Sequence, residues 1–289
     1  MDLLWLSHRE CHDVGLVGGK VAGLSRLAAA YRVPPGFCVT TAALEPWAEG
    51  DGVDVPHDRV RDALIRAYQL LGEQCGAQDL RVAVRSSAVD EDGQAASFAG
   101  QYETYLNIRG IESVVDAVGR CRASARSPRV IDYRRMNGLP TDGLRLAVLV
   151  QQLVPSDVSA VIFTANPVSF DPGEIVINAS WGLGESIVGG TVTPDTIVMR
   201  KSDLGIESYS IGEKRRMTVS VPGGTEEVDV PNFLRARAVL DEAMLREMAH
   251  LALSLERRHQ FPVDVECAYH EQTLYLLQCR PITTLSART

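Results

Sequence analysis

Apolar residues recur at two different periods along this chain. Val21, Leu24, Leu27 and Ala28 follow a Gly18-Gly19 pair at helical spacing, which predicts a turn and then a helix over residues 18–31. Val33-Pro-Pro-Gly stops that helix, and Phe37–Thr40 reads as a strand. Arg59–Leu71 is amphipathic at the helical period, and Ile111–Arg126 predicts another helix. Leu80–Val84 and Glu103–Ile108 read as strands. The short runs Leu146–Val150 and Val158–Phe163 suit buried strands. A β-rich section is expected from Leu144, with strands at Ala160–Thr164, Glu174–Asn178 and Thr196–Arg200. Asn232–Arg258 predicts one long helix, and Val263–Tyr269 with Leu274–Gln278 a closing hairpin. The pattern is mixed α/β with antiparallel pairs, expected as two subdomains, 1–145 and 146–289, with a cleft between them.

Composition narrows the class. With 45% hydrophobic and 23% charged residues, 289 residues suffice for a sizeable core. No window reaches the roughly 18 apolar residues of a membrane helix, and the start, MDLLWLSHRE, has no signal-peptide pattern. Six cysteines, none in a Cys-x-x-Cys pair, suggest reduced thiols, and a cytoplasmic protein is expected. A net charge of −8 argues against a general nucleic-acid surface but leaves room for a few placed cations to hold an anionic ligand.

Four segments carry candidate chemistry. In Val17-Gly-Gly-Lys20, glycines at a helix start allow close backbone approach, helix N–H groups favour an anion, and Lys20 adds a charge. Alone, the pattern is more often a tight turn with a solvated lysine. Arg85 in Val84-Arg-Ser-Ser leaves a strand end where its planar fork suits phosphate oxygens. The polar, Gly-containing segment Ser97–Thr104 is able to fold over phosphates, and an ordinary polar loop explains it equally well. Trp181-Gly-Leu-Gly-Glu185 marks a constrained turn, for which a structural role is the commoner reading. In the last segment, Asp264 and Glu266 share one strand face, as do Gln278 and Arg280. If the two strands pair, four polar groups converge. Glu266 and the Gln278 amide oxygen are hard ligands suited to Mg²⁺ bound with nucleotide phosphates, with Arg280 beside them facing the charge of transfer. A solvated sheet face with a cross-strand Glu–Arg pair is the competing reading, of similar weight.

In order along the chain, Val17-Gly-Gly-Lys, Val33-Pro-Pro-Gly-Phe, Val84-Arg-Ser-Ser, Ser97-Phe-Ala-Gly-Gln, Phe163-Thr-Ala-Asn-Pro, Trp181-Gly-Leu-Gly-Glu, Thr193-Pro-Asp, Asp264-Val-Glu and Gln278-Cys-Arg-Pro-Ile-Thr resemble the ATP-binding domain of the phosphoenolpyruvate synthase and pyruvate phosphate dikinase family. The wording is closest to the rifampin phosphotransferase branch. The resemblance implies an ATP-grasp fold with ATP between two subdomains. It implies that Lys20 and Arg85 contact phosphates and that Gly100 and Thr104 belong to a phosphate-covering loop. Gln151, Gln152 and Leu153 would line the adenine pocket, and Glu185 would join the nucleotide site. Glu266 and Gln278 would hold Mg²⁺, Asp264 would support them, and Arg280 would be catalytic.

The resemblance further implies a swivelling histidine that collects phosphoryl groups here. The Gly/Thr-rich run ending in Ser-His that carries this histidine is not found in the sequence. The expectation is therefore a phosphotransferase that modifies a carrier histidine in trans, either as a natural subunit or as part of a longer chain. Phenylphosphate synthase divides its modules between chains in this way. Two other readings stand beside it: a self-sufficient ATP-grasp kinase or ligase, and a nucleotide-sensing subunit without catalysis. A smaller departure is Ala160, where relatives usually have glycine.

Overall fold

A computed structural model describes residues 2–45, 58–90, 102–141 and 143–282. The chain divides into two compact units, one of Met1–Leu153 with Pro222–Gly224 and one of Val154–Val221 with Thr225–Thr289.

The first unit contains β1 (Leu3–Trp5), α1 (Val14–Ala28), β2 (Gly36–Val39), α2 (Thr41–Leu44), α3 (Asp58–Gln74), β3 (Val82–Ala88), β4 (Thr104–Ile108), α4 (Ile111–Ser124), α5 (Pro128–Met136) and β5 (Leu146–Gln152). Its strands form one antiparallel sheet in the order β1-β2-β5-β3-β4. The unbroken apolar run of β5 now has its reason, because the central strand is covered on both faces. Val148 and Val150 pack with Leu64, Leu71, Val114 and Val118 of α3 and α4. Ala147 and Leu149 pack with Val17, Val21 and Leu24 of α1. The division between units follows Leu153, one strand later than the boundary read at 145, because β5 pairs with β2 and β3.

The second unit contains β6 (Val158–Phe163), β7 (Glu174–Trp181), α6 (Glu185–Val188), β8 (Asp195–Arg200), β9 (Ile206–Ser210), β10 (Arg216–Val221), β11 (Gly224–Asp229), α7 (Asn232–Arg235), α8 (Glu242–His259), β12 (Val263–His270) and β13 (Thr273–Pro281). Six strands form an antiparallel sheet in the order β13-β12-β6-β7-β8-β9, and β10 pairs with β11. Alternation divides the large sheet into an apolar and a polar face. Val263, Val265, Ile162, Ile175, Ile177 and Ile197 are fully buried on one side. α8 packs against β12, β13 and β6, and buries Leu245, Met248, Ala249, Ala252 and Leu255. Each fully buried aliphatic side chain of this kind contributes roughly 1.5–3 kcal/mol.

Two helices differ from their sequence reading. The first begins at Val14, where the Asp13 side chain caps the Gly15 N–H, and the Gly-Gly pair is a kink within it rather than a preceding turn. The single helix expected over 232–258 is two, α7 and α8, because the intervening segment answers a buried charge. Asp195, fully buried, accepts hydrogen bonds from the Val239 N–H (2.8 Å) and the Gly212 N–H (2.9 Å) and pairs with the fully buried Lys214 ammonium. A helix through Val239 would commit that N–H to its own i−4 carbonyl. Asp241 then caps α8 by accepting from the Met244 N–H. Helical periodicity ran through this break because the demand is tertiary.

Candidate functional site

Each unit presents one cluster of the residues singled out from the sequence. In the first, α1 lies over the face of β3 that carries Arg85 and Ser87. Gly18 has φ +75°, and a Cβ there would stand 2.1 Å from the Ser87 carbonyl oxygen, so only glycine permits the approach. Beyond this kink the helix restarts, and the Val21 N–H donates to Ser87 Oγ at 3.2 Å. The neighbouring Lys20, largely buried, donates from Nζ to the Ser86 carbonyl at 3.0 Å. Arg85 is half-buried and is the cross-strand partner of Thr104 on β4. The fold thus gathers a restarted helix N-terminus, an ammonium, a guanidinium and a threonine, a set with the chemistry to grip phosphate. Gly100 lies outside the described residues.

Gln151, Gln152 and Leu153 run from β5 into the segment after it. Gln151 is buried, and its Nε2 donates to the Pro34 carbonyl at 2.9 Å, so its amide holds the Val33-Pro-Pro-Gly turn in place. The Gln152 N–H donates to Pro35 O and the Leu153 N–H to Arg81 O, both at 2.9 Å. A cavity of about 330 Å³ beside this turn is lined by residues including Trp5, His8, Pro34 and Gln74 and by none of the phosphate candidates.

In the second unit, β12 and β13 join through a turn of two residues, Glu271 and Gln272, both at positive φ (46° and 63°). That conformation matches the twist of paired strands and is the usual short hairpin geometry. The register sets Asp264 opposite Arg280 and Glu266 opposite Gln278, so all four project from one face. Arg280 donates from Nε (2.8 Å) and Nη2 (2.6 Å) to the same oxygen, Oδ2, of Asp264. Asp264 Oδ1 is buried and accepts no hydrogen bond from the described residues. Burial pushes the Asp264 carboxyl above its usual range, Arg280 pulls it down, and the Glu266 charge adds to the rise. Just past this set the ladder slips at Glu266/Cys267. Beyond the slip, Leu276 pairs with Cys267, keeping the apolar positions on the α8 side.

Glu185 begins the short α6, half-buried. The turn before it is fixed by Gly182, at φ +77°, where a Cβ would stand 2.4 Å from the Thr218 carbonyl oxygen. Ser159 Oγ donates to the Gly182 carbonyl at 2.7 Å.

Among the described residues no group of three or more His, Cys, Asp or Glu could hold a metal ion. Glu266 and Gln278 instead offer two hard oxygens on paired strands, beside a buried carboxylate oxygen with no donor among the described residues. Such a pair fits a cation that takes its remaining ligands from phosphates and water, the habit of Mg²⁺.

Sequence reasoning missed Ser86 as the seat of Lys20 and Ser87 as the partner of the Val21 N–H. Val84-Arg-Ser-Ser pointed to the segment but not to which helix would meet it. It also gave no element for α5, Pro128–Met136; among the described residues no helix is long and apolar enough to cross a membrane.

Comparison with known proteins gives the chain a family. The profile described as "Pyruvate phosphate dikinase, AMP/ATP-binding domain" matches residues 53–289. A probable phosphoenolpyruvate synthase of Methanocaldococcus jannaschii is 38% identical over 318 residues, covering 98% of this chain and 27% of that protein. The uncharacterized phosphotransferase YvkC of Bacillus subtilis is 37% identical over 285 residues, covering 93% of this chain and 34% of that protein. Among solved structures, PH1788 from Pyrococcus horikoshii aligns over 91% of both chains, with a TM-score of 0.43 and 13% identity. The chain spans from about a quarter to under half of the curated relatives' lengths, 27% to 45% for the first two. With a family profile matched over most of its length, the chain belongs to the pyruvate phosphate dikinase AMP/ATP-binding domain family.

Proposed function

We propose that this chain is an ATP-dependent phosphotransfer module of ATP-grasp type, which binds Mg·ATP and passes a phosphoryl or pyrophosphoryl group to a histidine on a separate carrier domain or subunit, releasing AMP. The observation that carries the proposal is the β12–β13 register, which sets the metal-ligand candidates and the arginine side by side on one polar face. Family membership supplies the ATP. Lys20, Arg85 and Thr104 would hold phosphate oxygens, with Gly100 beside them in sequence. Gln151, Gln152 and Leu153 would flank the base, the first through the turn it braces. Glu185 would complete the nucleotide site. Glu266 and Gln278 would hold Mg²⁺, whose contribution when bound is to neutralise charge on the phosphates. Asp264 would hold Arg280 in place, and Arg280 would face the charge that builds on the transferring group.

The carrier histidine rests on the same chemistry. Positioned acceptors supply much of the rate in phosphoryl transfer, and no segment of this sequence carries the Gly/Thr-rich run ending in Ser-His that marks the family's carrier, since Ser7-His8 lacks that lead. The test is incubation of β-³²P-labelled ATP with the purified chain, with and without a histidine-bearing carrier protein. Acid-labile, base-stable label on the carrier, with AMP released only in its presence, is the expected result. Phosphorylation of a small metabolite by the chain alone, at an ordinary enzyme rate and without protein label, would replace this reading with a self-sufficient kinase or ligase. Tight ATP binding without turnover in either mixture would make the chain a nucleotide sensor.

A further inference from the structure

One buried arginine outside the phosphate-gripping set touches both flanks of the hairpin that carries it. Arg134 lies in the last turn of α5, with its side chain only 3% exposed. Its Nη2 donates to Asp90 Oδ2 at 2.6 Å, its Nη1 to the Tyr102 hydroxyl at 3.4 Å, and its Nε to the Pro140 carbonyl at 2.5 Å. Asp90 follows β3, the strand of Arg85, and Tyr102 precedes β4, the strand of Thr104. Arg85 and Thr104 are cross-strand partners, so one guanidinium ties the outgoing and incoming stems of their hairpin. It also anchors both stems to the end of α5 through Pro140.

A guanidinium is suited to this task by its flat fork, which reaches separate acceptors in fixed directions; an ammonium has no such geometry. The placement is costly unless the acceptors are held, because a buried cation needs its partners. A fold brace alone would be served by apolar packing at this position.

We infer that Arg134 is a positioning residue for phosphate binding: by fixing the stems at Asp90 and Tyr102, it holds Arg85 and Thr104 at the separation that a polyphosphate requires. The inference rests on the reading of Arg85 and Thr104 as phosphate ligands. It assigns Arg134 no contact with the nucleotide.

The experiment compares ATP and AMP binding by calorimetry, in the presence of Mg²⁺, for the unaltered protein, Arg134→Gln, Arg134→Lys, Asp90→Asn and Tyr102→Phe. The unaltered protein should bind ATP more tightly than AMP; equal affinities would sink the assignment of Arg85 and Thr104 themselves, a failure separate from that of Arg134. Arg134→Gln should lose about tenfold in ATP affinity, the usual scale for losing a charge-assisted hydrogen bond, and less than about twofold in AMP affinity. Arg134→Lys should not restore the loss. Asp90→Asn and Tyr102→Phe should each give a smaller loss in the same direction, and they decide the matter if Arg134→Gln does not fold. Combining Arg134→Gln with Arg85→Ala should cost little more than Arg85→Ala alone. Equal losses for ATP and AMP, or no loss in folded variants, would overturn the inference and leave Arg134 a plain brace of α5.

Discussion

The two hairpins that carry the candidate chemistry hold it by opposite means. β3 and β4 are joined through residues 89–103, and their polar pair Arg85 and Thr104 is secured at the stems by Arg134 from another helix. β12 and β13 are joined by Glu271 and Gln272 alone, and their polar set is secured from within, Arg280 by Asp264 across the ladder. A long connection leaves register and separation to outside contacts, whereas a turn of two residues sets the pairing next to it, and the slip at Glu266/Cys267 resets that pairing before the polar set. Side chains beside a short turn therefore gain their geometry from the backbone. Those beside a long one need a third element.

The largest expected effect tests the internally secured hairpin. Glu266→Ala removes the carboxylate proposed to hold Mg²⁺. Mg·ATP affinity measured by calorimetry should fall strongly, on the order of 100-fold, with circular dichroism unchanged; an unaltered affinity would end the metal assignment. Arg280→Lys comes next. A lysine keeps the charge and loses the fork, so saturated turnover should fall about 100-fold, the usual cost of one transition-state donor, while ATP affinity stays within about twofold. A matching loss in affinity with normal saturated rate would make Arg280 an ordinary binding residue.

Asp264→Asn should weaken the brace and spare the donor. Saturated turnover is expected to fall about tenfold, less than for Arg280→Lys, in line with losing one charge-assisted bond. The fold should not suffer. Burial holds this carboxyl above its ordinary range, so its ionised form opposes folding, and that penalty grows as pH rises through the carboxylate range. Thermal melting at neutral pH should accordingly show Asp264→Asn equal to or above the unaltered protein. A large drop would mean that the Asp264–Arg280 pair stabilises the hairpin outright.

The smallest effect concerns the turn itself. Gln272 sits at φ +63°, where an L side chain costs about 1 kcal/mol relative to glycine. Gln272→Gly should raise the melting temperature by a few degrees at most and leave Mg·ATP binding untouched. A shift in binding would show that the turn transmits strain to Glu266 and Gln278.

The same contrast explains what could be read from the sequence. In the β12–β13 set the shared faces were legible, because a period of two puts Asp264 with Glu266 and Gln278 with Arg280; the cross-strand partners were not, because they depend on the slip at Glu266/Cys267. β5 was legible as a strand but not as a member of the first unit, since pairing with β2 and β3 is a long-range choice. Lys20 was visible as a cation after glycines, yet its seat on Ser86 depends on a crossing of α1 over β3 that no local pattern encodes. Arg134 was hidden in a polar stretch because three acceptors distant in sequence give it its role. The break between α7 and α8 was hidden for a similar reason, written in Asp195 rather than in the segment itself.

That aspartate also constrains how this protein can change over generations. Asp195 and Lys214 are both inaccessible to solvent and neutralise each other. Losing either alone strands a buried charge at a cost of about 3–5 kcal/mol, a large share of the 5–15 kcal/mol that holds an ordinary domain together. Replacing both by apolar residues would strand the Val239 and Gly212 N–H groups that Asp195 accepts, at about 1–3 kcal/mol each. Positions 195 and 214 are thus tied to each other and to two backbone donors: a change at either one alone is expected to be costly, and a second change at the other does not recover the whole loss.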